Sequence, residues 1–102
     1  MADVAIAARD DVAQAVDEAL GLLDLEDLVR DRVVVVKPND TWASPQDTTA
    51  VTQGDTLQAV LRHLKRFGPA RLIVSGGAGA AETSDVFEWS GMMAAVRAEG
   101  VE

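Results

Sequence analysis

The sequence predicts an α/β fold: a three-layer, mostly parallel sheet with strands and helices alternating as β-α-β-α-β-α. Three observations carry this. Val33-Val34-Val35-Val36 is an unbroken β-branched run, the habit of a parallel strand buried on both faces. Leu57, Val60, Leu61, Leu64 and Phe67 recur at spacings of three and four, which draws an apolar stripe down one side of a helix. Short apolar runs and helical stripes then alternate along the chain, the order that right-handed crossovers build into a parallel sheet.

The elements follow in order. Val4-Ala5-Ile6-Ala7 reads as a first strand, a weak one because Ala is a poor strand former. Asp10 or Asp11 caps a helix whose buried face is Val12, Val16, Ala19, Leu20 and Leu23. Leu25, Leu28 and Val29 continue as a short apolar stripe. The Val33–Val36 strand ends at Lys37-Pro38-Asn39-Asp40, since Pro38 has no amide hydrogen for a ladder. Residues 41–54 form a polar loop, long for a connection inside a domain and therefore a candidate for function. Asp55 with Gln58, or Thr52 with Asp55, makes a capping-box start for the next helix. Gly68-Pro69 stops that helix.

Leu72-Ile73-Val74 is a third strand, and Ser75-Gly76-Gly77-Ala78-Gly79-Ala80-Ala81 a flexible turn after it. Ser84 or Asp85 caps the last helix, which Ser90-Gly91 divides in two and Gly100 ends. The chain stops at Val101-Glu102, where a fourth strand is due. The expectation is one α/β domain over residues 1–102 that is incomplete: the N-terminal part of a longer domain, or a half completed by a partner.

Composition removes several functions. The chain has 102 residues and a net charge of −8. An acidic surface repels phosphate backbones, so neither nucleic acid nor an anionic membrane is an expected partner. There is no cysteine. Thiolate metal sites, cysteine nucleophiles and cysteine-held clusters are excluded from these residues, and any cofactor remains unassigned. Met1-Ala2-Asp3 does not open a signal peptide, and no apolar run approaches the roughly 20 residues of a membrane span. A cytoplasmic location is the expectation.

One segment points to a family. A strand runs into Lys37-Pro38-Asn39, Thr48-Thr49 lie in the loop beyond, and the helix Leu57-Gln58-Ala59-Val60-Leu61-Arg62-His63-Leu64-Lys65 follows. A strand, a Gly-rich turn and a helix carrying Ser90-Gly91 complete the series. This resembles the N-terminal half of the domain-of-unknown-function 362 family. The resemblance implies an association with iron–sulfur or ferredoxin modules, which some members carry. It departs from the family in length, and the missing cysteines keep any cluster outside these residues.

Candidate site residues sit where strands end. In open parallel sheets ligands bind outside the carboxyl ends of the strands. Lys37 is placed to contact an anion and Asn39 to orient it; the plainer reading is a Lys that snorkels and an Asn that makes its own turn. Ser75, Gly76, Gly77 and Gly79 form either a cradle for a phosphate or carboxylate or a plain βα turn. The spacing Gly77-x-Gly79-x-x-Glu82 lacks the third glycine and the later acid of a dinucleotide fingerprint, so a nicotinamide site is rejected. Thr48 and Thr49 join the list through the polar loop. Asp40 and Asp47 are weak cation candidates, more simply solvated carboxylates, and no metal is assigned. Trp42 covers a ligand or pins the loop. His63 falls about 100° from the centre of its helix's apolar face, which makes it a boundary residue.

The leading expectation is a small anionic-ligand-binding module using Lys37–Asn39 and Gly76–Gly79. The alternatives are an enzyme domain working with an iron–sulfur module supplied from elsewhere, and a structural domain that dimerises through an open sheet edge or through the missing C-terminal region.

Overall fold

The computed structural model describes residues 1–102. Asp11 caps α1 (Val12–Gly21) by accepting the Gln14 amide at 2.9 Å. A single turn, α2 (Glu26–Val29), follows. Strand β1 (Val33–Val36) pairs in parallel with β2 (Arg71–Val74), Val33 opposite Arg71 and Val36 opposite Val74. Between them runs α3 (Gly54–Lys65). The chain ends with α4 (Thr83–Trp89) and α5 (Met92–Glu99).

Helix α3 organises the packing. It lies against α1 on one flank and α5 on the other. Its Leu57 and Leu61 are sealed in the core with Val86 of α4 and Met92 of α5. Glu99 ties α5 to α3: its carboxylate accepts from Gln58 Nε2 and Arg62 Nε, both at 3.0 Å, and faces Lys65 Nζ at 3.6 Å. These donors hold the Glu99 carboxyl below the usual carboxylate range, Gln58 first among them.

The helices depart from expectation at their starts. The Asp55–Gln58 capping box does not form. The helix begins two residues earlier, at Gly54 after Gln53, and the Gly54 amide donates to Ser90 O at 3.1 Å. A Cβ at Gly54 would overlap the Gly91 backbone, so this contact needs glycine. Helix α4 starts after Glu82 rather than Ser84 or Asp85. The break at Ser90-Gly91 is where the sequence placed it. Gly91 takes φ 81°, and the Ser90 hydroxyl bridges the Phe87 carbonyl and the Met92 amide. Gly68 and Gly100 take left-handed φ of 66° and 65°, the conformation that ends helices.

Two strand expectations are corrected. Val4–Ala7 is not a strand: Val4 and Ile6 are each 83% exposed, and no ladder pairs them. Four residues, two of them Ala, hold little apolar surface with which to build a strand away from an edge. Val33–Val36 is a strand, but it is covered on one face only. Val34, Val36, Leu72 and Val74 meet the core, while Val33 and Val35 remain 59% and 57% exposed. The second helical layer predicted from the valine run is absent here, because α1 packs on α3 and buries no residue fully. On the far side of β2, Glu102 enters the ladder: its amide donates to Leu72 O at 3.2 Å, and its carbonyl accepts from Val74 at 2.7 Å. No helix is long and apolar enough to cross a membrane.

Candidate functional site

Because β1 and β2 are parallel and in register, their carboxyl ends lie side by side. The loops that leave them are joined. The Ser75 amide donates to Val36 O at 3.0 Å, and the Gly79 amide to Thr41 O at 3.1 Å. Between these two links the Gly77 amide donates to Asp40 Oδ2 at 2.7 Å. The Ala78 amide donates to Thr83 Oγ1 at 3.0 Å. The turn's amides from Gly77 to Gly79 are therefore engaged within the chain, one of them by a carboxylate of the chain itself.

Asp40 is 2% exposed. Gly76 is what admits it: a Cβ there would overlap the Asp40 carboxylate, and would stand 2.6 Å from the Phe87 ring and 3.0 Å from Thr83 Cγ2. Sequence reasoning took Asp40 for a solvated carboxylate. The signal for its burial was the pairing of Asp40 with a two-glycine turn on the next strand, which only the register reveals.

Asn39 holds the entry to the polar loop. Its amide donates to Thr52 Oγ1 at 3.0 Å, its Nδ2 to Ala50 O at 3.1 Å, and its Oδ1 accepts from the Thr41 amide at 3.2 Å. The side chain is thus committed to the loop's shape. Thr48 and Thr49 are ordered by the same loop. Thr48 O accepts from Gln53 Nε2 at 2.7 Å. Thr49 Oγ1 donates to Asp47 Oδ1 at 2.6 Å, which holds the Asp47 carboxyl below its usual range. Ala43, 2% exposed, fixes the loop to the body, and Trp42 stays 41% exposed.

Lys37 stands apart from this network. Of the nine Lys and Arg residues, seven pair with a carboxylate. Lys37 and Arg32 do not, and they mark opposite ends of β1. Lys37 is exposed at the carboxyl end, beside Ser75, which is also exposed. The strand ends form an open ledge rather than an enclosed cavity. The largest depression, about 540 Å³, lies elsewhere, between the start of α3 and α5, lined by residues such as Gly54, Gln58, Gly91 and Ala95.

His63 is the other correction. It is 4% exposed, not a boundary residue. Helix α1 covers that flank of α3, and His63 Nδ1 lies 2.8 Å from Asp17 Oδ1. An ionised carboxylate only accepts, so Nδ1 carries the proton. Arg66 donates to the same oxygen at 2.6 Å. The His63 bond, with Arg66 beside it, holds the Asp17 carboxyl below the usual carboxylate range. The ring meets Phe67 edge-on at 5.4 Å, and Nε2 is sealed without a partner. This cluster joins α1 to α3 and lies on helices, away from the strand ends.

Among curated proteins and among solved structures, no match to this chain is found. One family model does match, over residues 34–102. It takes in both strands, the joined loops, and helices α3 to α5, the region that the Lys37-Pro38-Asn39 and Ser90-Gly91 segments mark out. The chain belongs to the family described as Domain of unknown function (DUF362).

Proposed function

We propose that the ledge at the carboxyl ends of β1 and β2 binds a small ligand through its anionic group, with Lys37 supplying the charge. The observation that carries this is the freedom of Lys37. In a chain of net charge −8, cations are normally taken up by neighbouring carboxylates, and this one is not. It sits at the end of a parallel sheet, where such ligands bind. The Ser75 hydroxyl is a second polar contact. Asn39, Thr48, Thr49, Gly77 and Gly79 shape the ledge from behind through the bonds they already make. An iron–sulfur centre acting with this site would have to be held by residues outside this chain, which has no cysteine.

Amide-resolved NMR titration with phosphate, acetate and a nucleotide tests the reading. At least one should move the amides of Lys37, Ser75 and Gly76, and Lys37→Met should abolish the movement. If all three leave these amides in place, the reading fails.

The uncovered sheet face favours a second reading, an assembly domain. Val33 and Val35 are more than half exposed there, and Val4 and Ile6 are bare as well. Light scattering across a concentration series should then show association, and Val33→Thr with Val35→Thr should remove it.

A further inference from the structure

The joined loops hold one group that the anionic-ligand reading does not use. Asp40 is almost entirely buried, and no Lys or Arg pairs with it. Burying a carboxylate is costly unless donors or a cation compensate it. Only one oxygen is served: Oδ2 accepts the Gly77 amide. Oδ1 has no donor from this chain. It is not sealed either, because His63 Nε2 is the single sealed side-chain polar atom without a partner. Oδ1 therefore keeps a narrow opening to the outside. The chain is built around this carboxylate, since Gly76 is the residue that leaves room for it. Asp40 follows Lys37 by three residues in the loop after β1, and the Gly77 amide that it accepts lies in the loop that Ser75 opens.

We propose that Asp40 Oδ1 is the second pole of the site: it receives a hydrogen-bond donor, an ammonium or hydroxyl group, from the ligand whose anionic end Lys37 holds. This rests on the ledge reading and narrows its ligand class to small molecules with a carboxylate or phosphate at one end and a donor at the other, such as amino acids and hydroxy acids. The recognition is non-covalent. Asp40 accepts, and the ligand's N–H or O–H donates. A simple dianion offers no donor to Oδ1 and is repelled by it.

The test is an NMR titration of the whole chain with acetate, ethanolamine, and the series glycine, β-alanine and 4-aminobutyrate, following the amides of Lys37 and Gly77. One member of the series should bind about 10-fold more tightly than acetate, the gain typical of a hydrogen bond to a charged group. Only ligands with a donor should shift Gly77. Asp40→Asn keeps an oxygen for the Gly77 amide, so its fold can be confirmed by circular dichroism. It should remove the 10-fold gain and leave acetate binding unchanged. If Asp40→Asn does not fold, the wild-type series still decides, through whether the donor end adds affinity and moves Gly77. If acetate moves Lys37 and every amino acid binds no better, Asp40 is not a ligand contact, and the ledge reading stands alone. If acetate and the amino acids all leave Lys37 unmoved, this proposal falls, and the ledge reading is decided separately by phosphate and the nucleotide. A Gly77 shift by ethanolamine alone would overturn the two-ended ligand class.

Discussion

Gly76 shows how much one residue decides at the strand ends. Its missing side chain makes the space into which Asp40 folds, with Phe87 and Thr83 closing the other sides. Gly76→Ala should therefore force a shift of buried groups and cost about 1–3 kcal/mol, the usual penalty for overpacking, read from urea unfolding. Gly77→Ala has open space around its Cβ position and should be nearly neutral, which makes it the control. The contrast was not legible in the sequence. The two glycines are adjacent in the same turn, and only the neighbour across the sheet tells them apart.

At the scale of elements, α3 carries the fold. Leu61 is fully buried, and Leu61→Ala should cost about 2–5 kcal/mol, the range for a core truncation, measured by the same unfolding curves. The helix stripe that includes Leu61 was readable from spacing alone, because burial of one helical face repeats locally. The flank covered by α1 was not. His63 looked like a boundary residue until α1 supplied both a cover and Asp17.

The contacts of α3 with α1 and with α5 have a pH signature. Asp17 and Glu99 both have carboxyls held below the usual range, Asp17 mainly by its hydrogen bond to His63 and Glu99 mainly by Gln58. A depressed folded-state value means the stabilisation is complete above the unfolded value of about 4 and is lost as pH falls through the lower folded value. Thermal unfolding should thus show a fall in Tm below about pH 4. Asp17→Asn should lower Tm at neutral pH and flatten the acid limb, because a group that no longer titrates cannot contribute to it. An acid limb as steep as wild type in the variant would remove Asp17 from the account.

On the scale of the whole molecule, the sheet is one-sided. Val35 points away from the core and Val34 towards it. Val34→Thr should cost about 1–3 kcal/mol through a poorly partnered hydroxyl at the core. Val35→Thr should stay within about 0.5 kcal/mol, as exposed substitutions do. Equal costs at the two positions would mean that the second face is covered in solution. The N-terminal residues make the same point. With Val4 and Ile6 exposed, removing residues 1–8 should leave the unfolding midpoint unchanged.

The sequence by itself determined the parts that local chemistry controls. It marked the positions of β1, α3 and β2, the Ser90-Gly91 break, the helix-ending glycines, and Lys37-Pro38-Asn39 and the glycine turn as strand-end loops. These depend on periodicity and on residues with special backbone freedom, both of which can be read along the chain. Tertiary structure decided what each element faces. It left Val33 and Val35 open, kept Val4–Ala7 out of the sheet, sealed His63 beneath α1, and folded Asp40 into the glycine turn. Strand runs and polar side chains do not encode their neighbours; those follow from register and from which helix packs on which. Lys37 and the glycine turn were expected to form a site because both follow strands. The parallel register placed their loops together, and it put a buried carboxylate between them.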